Sequence, residues 1–335
     1  MITTTVPGSM ELVATPGNPL PEGMWAGSLA TSDGVRLRYA VCGEERAPRG
    51  TICVFQGRGE FIERYFETVR ELRRRGYAVA LVDWRGQGGS DRLLRNRLKG
   101  HVGSFRQYAR DLADFMTGVV LPDCPPPYCA LAHSTGGAVL LGVLSTRTWF
   151  GRVVMTSPFI ALAGMPVPTG AGLLLASLAV GAGLGRMSTP GRDRRPMGPS
   201  GFPGNTVTSD EGRYMRDCAT LAAAPSLGIG APTWGWLRAA LAATRRLQNA
   251  LPREGPRVPV LMVAAGADRI VSTEAIRHYA RRMPGVSCAV IEGARHEILM
   301  ERDLYREQFW AAFDAFMGTP PLDRPQPARR DMASA

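Results

Sequence analysis

An α/β fold organised around a mostly parallel sheet is predicted by three features of the chain. Short apolar runs that suit buried strands alternate with amphipathic stretches of helical period. A serine, Ser134, lies between such a strand and a helix with a small-residue first turn, in Tyr128-Cys-Ala-Leu-Ala-His-Ser-Thr-Gly-Gly137. Asp268 and His296 then follow in that order, each just past the end of a later apolar run.

The elements follow in chain order. Residues 27–30 and 35–42 read as a hairpin around Ser32-Asp33-Gly34, and Thr51-Ile-Cys-Val-Phe55 as a buried strand. A helix over 62–75 places Ile62, Tyr65, Phe66, Val69 and Leu72 on one face and stops before Gly76. A strand over 78–82 comes next. The following helix opens with Ser104 and Gln107 in capping-box spacing and buries Phe105, Tyr108, Leu112 and Phe115. Strands are expected over 128–133, 152–157, 258–264 and 286–291, with a helix over 273–283. From 159 to 250 the alternation fails, and this stretch is expected to form a cap inserted into the core.

Ser134 has the surroundings of a nucleophile elbow. Small neighbours let the backbone bend sharply, so the hydroxyl projects from the strand-to-helix turn of an α/β-hydrolase. The usual Gly-x-Ser-x-Gly is here Ala132-His133-Ser134-Thr135-Gly136, and alanine lacks the freedom of glycine to take positive φ. A serine needs a base, and the base needs an acid to orient it. Of the four histidines, His101 lies in an upstream loop, His133 is expected to point to the other side of the elbow, and His278 falls within a helix. His296 alone follows a strand after the acid, so Ser134, Asp268 and His296 are the expected triad. The plainer alternative makes Asp268 a helix cap and His296 a surface residue. The oxyanion donors are expected to be the backbone N–H groups of Thr135 and of Arg58 in Gln56-Gly-Arg-Gly-Glu60.

With these residues the chain resembles the bacterial lysophospholipase and monoacylglycerol-lipase group of serine hydrolases, which also has serine aminopeptidase-like members. The likeness runs through Gly57-Arg-Gly-Glu60 with Tyr65, Asp83-Trp-Arg-Gly-Gln-Gly-Gly-Ser90, Gly100-His-Val-Gly103 with Phe105 and Tyr108, the elbow, and the Asp268 and His296 loops. It implies a serine carboxylic-ester hydrolase. The Gly-Arg-x-Glu loop is more similar to the lysophospholipase branch, while Ala132 and Gln56 are departures that bear on substrate preference. A monoacylglycerol lipase or general carboxylesterase is the alternative activity. A hydrolase-fold protein that binds a ligand without turnover is the alternative of another class.

Composition limits the partners. The 335 residues are 45% hydrophobic, which suffices for a substantial core. The six cysteines form no Cys-x-x-Cys pair and no metal spacing, so no metal or cofactor is expected. Pro125-Pro-Pro127, in polyproline form, would hold Cys124 and Cys129 ~15 Å apart, beyond disulfide reach. Thiols in a reducing compartment and a cytoplasmic location are therefore expected, and the start of the chain carries no secretory pattern. The net charge is +11, and all the basic residues but Lys99 are arginine. Such a surface attracts anions, or it reflects arginine-rich coding; no nucleic-acid signature accompanies it. The glycines of Arg85-Gly-Gln-Gly-Gly-Ser90 open no helix, which excludes a dinucleotide site and leaves a turn beside the active site.

The expected organisation is a loose arm over 1–22, a core over 23–158 and 251–318, the cap over 159–250, and a disordered tail over 319–335. No charge occurs from 153 to 185. Pro166 and Pro168 interrupt this stretch, and a helix over 169–185 would be only ~26 Å long against a ~30 Å hydrocarbon core. An apolar lid element with peripheral contact at the inner membrane surface is expected instead of a span. Residues 218–253 hold no carboxylate for a substrate ammonium but carry Arg238, Arg245, Arg246 and Arg253, which suit a phosphate or form a solvated face. Arg58, Trp234 and Trp236 are the expected substrate contacts. The substrate is expected to be a small lipid or ester.

Overall fold

The computed structural model describes residues 10–43, 47–165, 168–190 and 201–318. Its centre is an eight-stranded sheet: β1 (Met24–Ala30), β2 (Arg36–Cys42), β3 (Thr51–Phe55), β4 (Ala78–Val82), β5 (Tyr128–His133), β6 (Val153–Thr156), β7 (Val260–Ala265) and β8 (Val286–Ile291). The spatial order is β1-β2-β4-β3-β5-β6-β7-β8. The β1–β2 and β2–β4 pairs are antiparallel and the remaining pairs parallel, so β3, β5, β6, β7 and β8 all end at the same edge. The predicted hairpin and parallel strands are therefore present.

Both faces of this sheet are covered, which explains why its middle strands are apolar without alternation. In β3, Cys53 and Phe55 face one layer while Ile52 and Val54 face the other. The first layer includes α2 (Phe105–Phe115), α4 (Thr135–Leu141) and α8 (Thr273–Arg282); the second includes α1 (Phe66–Arg74) and α9 (Asp303–Met317). The helix expected over 62–75 is split into a 3-10 turn, Ile62–Tyr65, followed by α1. The capping box of α2 is present: Ser104 Oγ accepts from Arg106 N, and Gln107 Oε1 accepts from Ser104 N. A single turn, α3 (Leu121–Asp123), precedes β5.

Between β6 and β7 the described residues carry α5 (Thr169–Gly181), α6 (Glu211–Ala223) and α7 (Trp234–Asn249) and add no strand to the sheet. The apolar helix ends at Gly181, short of the expected 185, because Gly183 turns the chain at φ +81° into the 3-10 turn Leu184–Arg186. Among the described residues no helix is long and apolar enough to cross a membrane.

The loose arm expected over 1–22 is not what residues 10–22 form. Met10 N donates to Ala26 O and Val13 N to Glu63 Oε1, while the fully buried Asn18 donates from Nδ2 to Glu63 O. Polar composition misled the reading because these contacts use backbone and amide groups, which leave no apolar period. Residues 1–9 of that arm, and the expected tail over 319–335, lie outside the described residues.

Candidate active site

The elbow is a strained turn. Ser134 has φ +49° and ψ −112°, a conformation that side chains avoid unless neighbours enforce it. Backbone bonds hold it: Ser134 N donates to Thr156 O at the end of β6, and Ser134 O accepts from Phe159 N and Ala138 N. Small residues are required around it. A Cβ on Gly136 would stand 2.3 Å from Phe55 O, and one on Gly137 2.8 Å from Pro158 Cβ. Ala132 causes no difficulty, because it lies inside β5, paired with Phe55 and Met155.

Asp268 follows β7 and His296 follows β8, so strands carry both to the same edge as Ser134. His296 Nδ1 lies 2.8 Å from Asp268 Oδ2, and Nε2 lies 3.1 Å from Ser134 Oγ. Asp268 also accepts from Ile270 N at 2.7 Å and Val271 N at 3.0 Å. Burial opposes its charge, but the His296 bond and these two N–H groups outweigh that and hold its carboxyl below the ordinary value. A charged Asp268 only accepts, so Nδ1 carries the proton and Nε2 faces the serine hydroxyl as an acceptor. Asp268 is not the helix cap: Ser272 Oγ caps α8 through Ala275 N.

A second serine with positive φ is bonded to His296. Ser157, at φ +44°, donates from Oγ to His296 O at 2.9 Å. His133 does not point away as expected. Its ring lies 4.8 Å from that of His296, with Nδ1 3.0 Å from Thr156 Oγ1. Burial, together with His296 nearby, pushes its pKa down despite the opposing Glu60.

Beneath the site lies a buried ionic cluster. Arg64 Nε binds Asp217 Oδ2 at 2.7 Å, and its Nη2 binds Glu297 Oε2 at 2.6 Å. Its Nη1 lies 3.4 Å from Glu60 Oε1, while Glu60 Oε2 accepts from Tyr65 Oη at 2.7 Å and from Gly57 N. Arg64 thereby joins the 56–60 loop, the histidine loop and α6. Burial raises Asp217 to about 6 although Arg64 pulls the other way. The 56–60 loop is held a second time by Gln87, whose Nε2 donates to Gly57 O at 2.8 Å and Glu60 O at 3.1 Å. The glycine-rich 85–90 loop thus supports the site, as expected of a turn beside it.

Ser134, His296, Thr135 and Arg58 all line one cavity of about 1070 Å³, and so do Trp234 and Trp236. Trp236 is also core, donating from Nε1 to Tyr108 Oη at 3.1 Å. Arg58 donates to Gly230 O at 2.8 Å and lies 5.0 Å over the Trp236 ring. The arginines expected for a phosphate are elsewhere. Arg238, Arg245, Arg246 and Arg253 do not line the cavity; the last three are exposed and Arg238 donates to Gly103 O. Arg269 lines it instead, together with Glu60 and Glu297. Asp-Arg after an apolar strand was the available signal for Arg269. Nothing local signalled Arg64, whose partners are 4, 153 and 233 positions away.

Fold and site together define a serine hydrolase of the α/β-hydrolase class. Residues 46–303 match the family model described as serine aminopeptidase, S33, and the chain belongs to that family. It is 28% identical over 273 residues to lysophospholipase L2 of Escherichia coli strain K12, covering 76% of each chain. It is 25% identical over 286 residues to a monoacylglycerol lipase of Mycolicibacterium smegmatis, covering 82% of this chain and 90% of that protein. Among solved structures, a soluble variant of monoglyceride lipase from Saccharomyces cerevisiae, in complex with a substrate analogue, superposes with a TM-score of 0.68 at 18% identity. That match covers 94% of this chain and 97% of the other, and it concerns the fold. The chain is a serine ester hydrolase of lipase type.

Proposed function

We propose that this chain releases a fatty acid from a lysophospholipid through an acyl-enzyme on Ser134. The observation that carries this reading is the continuous line Asp268–His296–Ser134 opening on a cavity large enough for an acyl chain. His296 Nε2 takes the hydroxyl proton as Ser134 Oγ attacks the ester carbonyl. The same proton then goes to the leaving alcohol, and water, activated by His296, releases the acid. Asp268 fixes the tautomer and stabilises the imidazolium.

The amides of Thr135 and Arg58 serve as the oxyanion donors in this scheme. Support comes from the packing of Gly136 against Phe55 O, which brings the N-terminus of α4 beside the 56–58 loop. Residues 159–250 act as the cap. Phe159, Leu162, Met165, Trp234 and Leu237 give the cavity an apolar wall suited to an acyl chain and to exclusion of water. Leu174, Leu175 and Leu178 of α5, exposed to solvent, give peripheral contact with lipid.

Peptide substrates with a free amino terminus are disfavoured. The two carboxylates on the wall, Glu60 and Glu297, are already engaged by Arg64, which leaves an ammonium poorly served. A second reading, monoacylglycerol hydrolysis, is favoured by the 25% identical mycobacterial relative. Turnover of a lysophospholipid and a monoacylglycerol of one acyl length separates the two. Ser134→Ala is expected to abolish fluorophosphonate labelling and to lower kcat on the order of 10⁶-fold. Equal labelling of wild type and variant would refute the nucleophile.

A further inference from the structure

We propose that Arg269 is the residue that selects for an anionic, phosphate-bearing leaving group, by pairing with the phosphodiester of a lysophospholipid headgroup. The inference rests on the ester-hydrolase reading above and adds the chemistry that would distinguish a phospholipid from a neutral glyceride.

Among the described residues, besides the phenol of Tyr214, which bonds to Gly201 O, six side chains with ionisable heads line the cavity: Arg58, Glu60, His133, Arg269, His296 and Glu297. Five of them have work already. Glu60 and Glu297 are bound to Arg64 within the wall, His133 is packed between Thr156 and His296, and His296 is in the triad. Arg58 is tied to Gly230 O and stacked on Trp236. Arg269 differs from all of these, being exposed and without a hydrogen bond or ion pair among the described residues.

Its root, in contrast, is fixed. Asp268 Oδ1 accepts from the two N–H groups that follow Arg269, those of Ile270 and Val271. Ala163 N donates to Ile270 O, and Leu162 and Val271 form an isolated bridge that ties the turn to the start of the 159–250 segment. The same carboxylate that orients His296 therefore anchors the backbone that carries Arg269. A guanidinium with a rigid root, one residue from the catalytic acid and facing the cavity, is suited to bidentate capture of a phosphate.

The test uses the full chain and a matched set of esters with one acyl length in neutral detergent micelles: lysophosphatidylglycerol, lysophosphatidylethanolamine and monoacylglycerol. For Arg269→Gln, kcat/KM is expected to fall about tenfold on both phospholipids, mainly through KM, and less than about twofold on monoacylglycerol. Arg269→Lys recovers part of the loss. An equal fall on all three esters, or no fall on any, overturns the assignment. If wild type turns over no lysophospholipid, the functional reading fails, and Arg269 is judged separately by competition. At constant ionic strength, glycerol 3-phosphate should inhibit hydrolysis of p-nitrophenyl butyrate by wild type several-fold more strongly than by Arg269→Gln. Equal inhibition of the two overturns the inference. Inorganic phosphate inhibiting wild type as strongly as glycerol 3-phosphate also overturns it, because the site would then read the free anion and not a headgroup.

Discussion

Ser134 and Ser157 are the only residues other than glycine with positive φ among the described residues, and the backbone N–H of each is bonded to a neighbouring strand. The turn at the first aims the Ser134 hydroxyl at His296; the turn at the second brings a hydroxyl onto the backbone of His296. The line Asp268–His296–Ser134 thus has backbone supports besides its own hydrogen bonds. Asp268→Asn tests the least visible member. The amide keeps the N–H contacts to Oδ1 but presents Nδ1 with a group that need not accept, so the wrong tautomer faces Ser134. We expect kcat to fall on the order of 10⁴-fold, with an unchanged far-ultraviolet spectrum and little change in Tm. A fall below tenfold would exclude the orienting role of Asp268. The same logic explains Ala132: the positive φ falls on the serine itself, so alanine in the strand before it meets no conformational penalty.

At the scale of elements, α6 is fastened to the core by charge. Glu67 on α1 accepts from Arg213 at 2.7 Å and Arg216 at 2.7 Å, both on α6, and from Arg306 on α9 at 2.9 Å. Burial works against the Glu67 charge, but the Arg213 bond and the field of Arg306 and Arg216 hold its carboxyl far below the ordinary value. A lowered folded-state pKa contributes stability that is full above the unfolded value near 4.5 and is lost as pH falls toward the folded value. Glu67→Gln should therefore destabilise by about 2 kcal/mol at pH 7. The Tm difference from wild type should shrink as pH drops below about 4.5; a difference that does not change from pH 7 to pH 3 would contradict the ionic anchor. None of this was legible in the sequence, where no local pattern links Glu67 to Arg213, Arg216 or Arg306. The strands, the two helix faces and the serine–acid–base order were legible, because burial periodicity and strand-end placement are local signals. Side-chain pairings across 146 or 239 positions leave no such period.

For the whole molecule, the contrast is between this anchored helix and α5. Leu174, Leu175 and Leu178 are 60%, 58% and 62% exposed, and Ala176 is the one buried residue of α5. Leu184 and Met187 continue the apolar surface, and basic groups border it: Lys99 donates to Arg186 O, and Arg245 lies beside Gly170. Apolar side chains rimmed by cations match an anionic lipid surface, where burial and electrostatic attraction add. A 13-residue helix, about 20 Å long, is too short to cross such a surface. Moving three leucines out of water contributes on the order of 1–2 kcal/mol each. The triple variant Leu174→Ser, Leu175→Ser, Leu178→Ser should then lose at least tenfold in partition to phosphatidylglycerol vesicles. It should also turn over vesicle-borne substrate more slowly while hydrolysing p-nitrophenyl butyrate at the wild-type rate. Since these side chains already face solvent, the fold should tolerate the change, and Tm should stay within a few degrees. Unaltered vesicle partition, with Tm preserved, would refute the α5 contact, whereas a parallel loss on the soluble ester would mean that α5 shapes the cavity rather than meeting lipid.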